Sequence, residues 1–325
     1  MGQLHRLAGT CIVLPFVLFG CGSPNSQGTL DSDAIVDALV SADKDLPSTL
    51  AETYLFRNGQ PDRPVDGVHR FDVKVPLWSD GAIKTRFLFV PPGKTIGLNP
   101  ATKNFIIPAG TTLAKNFATA SGKNVETRII TYKGGTEWAF ATYVWQEDGS
   151  TIKNEYPSTH TVEGTDFRIP SVSECEMCHN GGERILGFAP HQQNFINTDG
   201  ENELERLAEE NLFDPPVRDL LKVKPLDDPS DTSLFLNERV RAYMDVNCSS
   251  CHNPQSGIKA HDMDFRSEAI DTGLVRAGKV IPGVVADSEL WLRFTAAEER
   301  MPPVSLRQDP LGTDLLFQLI ENWPR

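Results

Sequence analysis

Two short stretches constrain this chain more than anything else in it: SVSECEMCHNGG at 171–182 and NCSSCHNP at 247–254. Each holds the order C-x-x-C-H, as Cys175, Cys178, His179 and as Cys248, Cys251, His252. The chain has only six cysteines. Cys11 falls inside an apolar leader and Cys21 at its end, so four thiols remain, all in the two pentapeptides. No cysteine is left over for a structural disulfide, although the leader points to an oxidising compartment.

Three chemistries compete for those thiols. Zinc ribbons separate their C-x-x-C pairs by about 15–20 residues, far less than the interval here. A thioredoxin-like dithiol needs a βαβ setting, and none reads around either site. Covalent haem needs two thiols for the vinyl groups and an adjacent His for the iron. Two copies, each followed immediately by His, favour that third chemistry. They predict two covalently bound haem c groups, attached at Cys175, Cys178, Cys248 and Cys251, with His179 and His252 as axial ligands.

The leader MGQLHRLAGTCIVLPFVLFGC has one early charge, Arg6, and then an apolar run through Phe19. That is a secretory signal over residues 1–20, too short for a comfortable span of about 20 apolar residues. Leu18-Phe19-Gly20-Cys21 resembles a bacterial lipobox, which makes Cys21 the lipidated first residue of the mature chain. Acyl chains would then hold a soluble domain at a membrane surface in the bacterial cell envelope. The formal charge is −13 over 325 residues. With no basic stripe, that argues against nucleic acid as a partner.

Residues 21–48 read as a tether, with a short helix in DSDAIVDALVSA. Residues 49–200 read as β-rich. FDVKVPLW, TRFLFV, NFIIP, VETRIITY and WAFATYVW are separated by turn signals at 91–94, 108–110, 121–124, 133–135 and 147–150. The fold class is α+β: an all-β sandwich or curled sheet carrying the first pentapeptide, then a small all-α domain. Residues 201–233 read as a helical linker containing the acidic helix 201–212. Residues 234–325 hold three helices. The first is capped by Asp231 or Ser233 and packs Leu236, Val240, Tyr243 and Met244; the second is capped at Asp287-Ser288. The last carries the stripe Leu315, Leu316, Leu319, Ile320 and Trp323.

Residues 234–325 resemble a class I cytochrome c domain. The resemblance rests on a helix leading into Cys248-Ser-Ser-Cys-His252, a middle helix near 287–298, the Met301-Pro302-Pro303 loop and a closing amphipathic helix. It implies Met301 as the distal ligand of the second haem; Met244 and Met263 are weaker candidates. For the first haem the unassigned histidines are His69, His160, His191 and His261, and an open iron is the alternative. A β region followed by C-x-x-C-H resembles the cytochrome c′-beta type, in which a sheet covers the haem. Over residues 66–325 the chain also resembles a family of exported di-haem c-type cytochromes, through VPLWSDGAIKTRF, IPAGTTLAKNF, RIPSVSECEMCH, IPGVVADSELWLR and MPP. It departs from that family at Trp78 and Gly81. The resemblance implies haem binding and electron transfer with redox partner proteins.

Two function classes follow. One is an electron carrier with both irons saturated; the other is a redox enzyme, peroxidase-like or acting on a small molecule at an open first haem. A structural or adhesion role for the β region is a third. No other catalytic constellation is legible. Lys115 and Arg128 lie on β segments, where exposure is the favoured reading and reach to a haem propionate or pocket the other. Cys21→Ala is expected to leave the chain unprocessed or release it to the soluble fraction on membrane fractionation; normal maturation with retention in the membrane would place the anchor elsewhere.

Overall fold

The computed structural model describes residues 26–41, 45–179, 185–256, 263–303 and 305–323, with side chains from residue 31. The signal, Cys21 and His261 lie outside them. Helix α1 (Ser26–Ile35) runs into a short π-helical turn over Val36–Ser41. Then come strands β1 (Val68–Phe71), β2 (Ile83–Phe89), β3 (Gly97–Leu98), β4 (Phe105–Ile106), β5 (Thr112–Ala118), β6 (Asn124–Gly134), β7 (Glu137–Trp145) and β8 (Thr151–Lys153). Six of them form one antiparallel sheet in the order β1-β2-β5-β6-β7-β8, while β3 and β4 pair separately. A second hairpin follows, β9 (Ser158–Val162) with β10 (Thr165–Ile169). The turn signals read from sequence coincide with left-handed glycines at 93, 110, 122, 134, 135 and 149. At Gly110 a Cβ would also stand 2.6 Å from Pro91 Cγ, so the turn excludes any other residue twice over.

The β region is therefore one curled sheet clothed on both faces rather than two packed sheets. Alternation sends Phe87, Phe89, Ala114, Ile129, Ala139, Ala141, Tyr143 and Trp145 to one face. Ile35, Leu39, Leu46, Leu50, Leu55 and Phe56 cover that face. The segment expected to be a tether thus supplies core: Ile35 and Leu39 are fully buried. Lys133 Nζ donates to the carbonyl of Val40 at 3.2 Å, and Tyr143 Oη donates to the carbonyl of Pro47 at 2.8 Å, pinning the segment to β6 and β7.

The opposite face has three zones. At one end Leu88, Leu113 and Phe105 pack with Phe188, Leu204, Leu207, Leu212 and Leu220. These last come from the loop before α3 (Pro190–Gln193), from α4 (Glu203–Glu209) and its exit, and from α5 (Val217–Leu220), which follow α2 (Val172–His179). Residues 201–220, expected as a linker, thereby belong to the sheet's core. At the other end Ala82, Phe117, Val125 and Val144 pack under Val162, Phe167 and Ile169 of the second hairpin. The middle zone is polar and lies under α2.

The C-terminal unit is helical as expected: α6 (Leu236–Asn247), α7 (Glu289–Thr295) and α8 (Pro310–Glu321). Val240, Tyr243 and Met244 meet Leu315, Leu316, Ile320, Phe294 and Met263 in one core. The cap of α6 is Phe235, whose N–H donates to Glu238 at 3.1 Å; Asp231 instead accepts from Ser233 N at 2.9 Å in the preceding turn. Asp309 caps α8, accepting from Leu311 N at 3.0 Å, with Pro310 in the first turn. α6 and α8 cross where Gly312 lets Tyr243 lie against the backbone: a Cβ there would fall 2.4 Å from Tyr243 Cζ. Leu39→Ala is expected to lower stability by about 2–5 kcal/mol in urea denaturation, the cost of a cavity in a closed core; a change near zero would return this segment to the status of a tether.

Candidate functional site

The first pentapeptide forms the last turns of α2. Cys175, Cys178 and His179 stand at i, i+3 and i+4, so both sulfurs and the imidazole share one helix face. The helix start is held by a reciprocal cap. Ser171 N donates to Glu174 Oε2 at 2.9 Å, Glu174 N donates to Ser171 Oγ at 3.4 Å, and Arg168 on β10 pairs with the same carboxylate. The face of α2 rests on β7: the His179 ring lies 5.8 Å from that of Phe140, and Cys175 hydrogen-bonds Thr142.

The second pentapeptide continues from α6. Cys251 N and His252 N both donate to Cys248 O, at 3.2 and 3.0 Å, so the turn repeats the compact order of the first. His252 packs against Phe265, ring centroids 5.0 Å apart, and its carbonyl accepts from Phe265 N at 3.0 Å.

The two pentapeptides are neighbours. The thiol of Cys178 hydrogen-bonds the sulfur of Cys251, which pushes Cys178 up and draws Cys251 down. This contact depends on the β1–β2 connection, which clamps the helical unit. Trp78 N donates to Asn247 Oδ1 at 2.9 Å, one residue before Cys248, and Trp78 Nε1 donates to the carbonyl of Arg307 at 3.0 Å. Asp80, buried and with φ 53°, accepts from Leu306 N at 3.0 Å and Arg307 N at 2.8 Å. The same short loop thus grips both the second pentapeptide and the segment after Met-Pro-Pro. Nothing in the sequence VPLWSDG announces this role. Ser-Asp-Gly reads only as a turn, and its partners lie more than 160 residues away.

The donor set fits haem. All four thiols are outside disulfides. Among the described residues, no group of three or more His, Cys, Asp or Glu side chains is placed to hold a metal ion. An iron held here by one His must bring its own equatorial ligands, as a porphyrin does. Burial, then the charges of Lys115 and Arg128, lower His179 to about 4, so it is the neutral imidazole that ligates metals. Burial pushes Cys175 up to about 11, which disfavours in the first pentapeptide the low-pKa thiolate a redox dithiol requires.

The other expected site residues scatter. Met244 and Met263 are buried in the C-terminal core, whereas Met301 is 38% exposed, its N–H tied to the carbonyl of Arg293 at 3.0 Å. His69, on β1, faces Glu210 at 3.6 Å; burial first, and then the charge of Arg206, lower it against the pull of Glu210. His191 faces Asp245 on α6 at 3.9 Å. His160 pairs with Phe167 in the β9–β10 hairpin. Lys115 and Arg128, expected as exposed, instead point under α2: both are half-buried, and Arg128 bonds Glu126 at 2.5 Å.

Residues 248–305 match the model of a family described as Planctomycete cytochrome C. The match supports a cytochrome c-type family, with covalently bound haem c and a haem-based electron-transfer role. No curated protein and no solved structure matches the chain.

The cap on α2 titrates. Burial opposes ionisation of Glu174, but the Arg168 hydrogen bond, the Ser171 N–H and the Arg168 charge outweigh it, so the carboxyl sits below its ordinary value of 4.5. Its stabilisation is therefore complete above that value and is lost as pH falls through the depressed one. Glu174→Gln is expected to cost about 1–2 kcal/mol at pH 7, and the gap to the parent to close in acid; a gap independent of pH would mean that the carboxylate's charge is not what holds α2.

Proposed function

We propose that this chain is an exported, lipid-anchored di-haem c-type cytochrome that passes electrons between redox partner proteins in the cell envelope. The observation that carries the reading is the contact of the two C-x-x-C-H turns through Cys178 and Cys251. Tunnelling between redox centres falls off steeply with separation. Attachment at adjacent sulfurs keeps two centres close without any motion of the chain.

Haem c supplies a one-electron iron couple at each attachment turn. The residues do the rest. Cys175, Cys178, Cys248 and Cys251 would hold the two groups as thioethers, a net addition of S–H across each vinyl bond that needs no oxidant. His179, kept neutral by burial, and His252 would hold the two irons. Trp78 and Asp80 fix the spacing between the turns. Met301 would supply the second iron with a thioether: it lies outside the C-terminal core and is 38% exposed.

A second reading follows from the histidine placements. His69 and His191 are directed at Glu210 and Asp245, which favours an open first iron and a substrate site there. Carbon monoxide added to the reduced protein decides between carrier and enzyme: one responding haem per chain supports the enzyme, and none supports the carrier. Intact mass after acid–acetone extraction is expected to show two retained haems, and one haem or bound zinc would refute the assignment. Met301→Ala is expected to abolish the long-wavelength sulfur–iron band and lower the potential of one haem only; persistence of the band would transfer the role to Met244 or Met263.

A further inference from the structure

The polar zone of the sheet carries more positive charge than the surrounding residues answer. Arg86 on β2, Lys115 on β5, Arg128 on β6 and Thr142 on β7 lie in register, one beside the next, on the face beneath α2. Lys84 stands two residues from Arg86 on the same face. Arg128 is answered by Glu126. Lys84 Nζ donates to a neutral carbonyl, that of Leu77. Arg86 is only 7% exposed, and among the described residues its guanidinium has no hydrogen-bond or ion-pair partner; the same holds for the ammonium of Lys115, which lies over the Phe117 ring at 5.1 Å. Asp80 is engaged by Leu306 and Arg307, and Asp309 by the start of α8; the charges of Asp72 and Glu126 act on Arg86 and Lys115 respectively, but neither makes an ion pair or hydrogen bond with them. A buried cation without an anion is costly, and an arginine fork is suited to a carboxylate.

Arg86 and Lys84 also line a cavity of about 450 Å³ between the sheet and the helical unit, bounded by Trp78, Tyr243, Asn247 and Asp309. The row has a direction. Its Thr142 end touches Cys175, an attachment sulfur. Its Arg86 end is three strand spacings away, about 14 Å, and opens into the cavity. In haem c the thioether edge and the propionate edge are opposite edges of one ring, and that interval is comparable with the width of a porphyrin.

We propose that this row is a carboxylate receptor, with Arg86 and Lys84 as its binding residues, and that the carboxylates are the propionates of the haem attached at Cys175 and Cys178. The inference rests on the reading that the first pentapeptide carries haem. The sheet then holds that haem at both edges, by covalent sulfurs over β6–β7 and by ion pairs over β2.

The test uses the full-length holoprotein and the variants Arg86→Gln, Lys84→Gln and Arg86→Lys. Intact mass first establishes two covalent haems, which checks the underlying reading separately; a wild-type chain with haem only at Cys248 and Cys251 would sink that reading and this inference with it. With two haems present, Arg86→Gln and Lys84→Gln are each expected to shift the propionate bending mode in resonance Raman. Each is also expected to lower the potential of one haem while leaving the other unchanged, and Arg86→Lys to restore the potential in large part. Lys84→Gln keeps the test decisive if Arg86→Gln fails to fold. An unmoved propionate mode with unmoved potentials would overturn the proposal. So would saturable binding of added nitrite or phosphate to the wild type, lost in Arg86→Gln, with the propionate mode unaffected: the receptor would then serve a free oxyanion.

Discussion

One loop ties the two halves of the candidate site together. Trp78 and Asp80, between β1 and β2, reach the end of α6 and the backbone at 306–307. That grip sets the helical unit against the sheet and brings Cys178 to Cys251. A buried carboxylate taking two backbone N–H groups is a strong and directional tie, because charge-assisted bonds in a desolvated place are roughly twice as strong as neutral ones. The approach of His191 to Asp245 on α6 at 3.9 Å is a second contact between the same two units.

The sheet's second face explains why it is not simply a core wall. Its two ends are apolar and closed, by α4 and α5 on one side and by the β9–β10 hairpin on the other. Between them runs a strip with Arg86, Lys115 and Arg128 in register. Arg128 is answered there by Glu126, whereas Arg86 and Lys115 have no ion-pair partner among the described residues, and a buried cation without one opposes folding. On the proposal above a haem completes that centre, and α2 over it is capped rather than packed: none of its residues is fully buried.

Much of the fold was legible in the sequence because it is written in local periodicity. The α8 stripe Leu315, Leu316, Leu319, Ile320, Trp323 lies in the C-terminal core, as does the α6 face. The turns fell where glycine supplies positive φ. The misses share a cause. Ile35 and Leu39 lie in a short apolar stretch, and what buries them is a sheet that comes much later in the chain. Residues 201–220 have the composition of a linker, yet Leu204, Leu207 and Leu220 close the sheet. The helix start at Phe235 escaped because Asp231 and Ser233 offered a stronger local signal that the chain spends on a preceding turn. Of the site, the pentapeptides were explicit. The Ser171–Glu174 cap has the S-x-x-E spacing of a capping box, so it is written in the sequence. The Asp80 clamp and the Arg86 row were not readable, since a single charged residue on a strand says nothing about which face it takes until register is fixed.

The central claim is that two haems sit side by side because the two attachment turns touch. Electron paramagnetic resonance of the fully ferric protein tests it most directly, with a Cys175→Ala, Cys178→Ala variant supplying the spectrum of the second haem alone. Adjacent irons predict spin–spin coupling: broadened or split signals in the parent that sharpen in the variant. A parent spectrum equal to the sum of two isolated haems, with no coupling, would contradict the account.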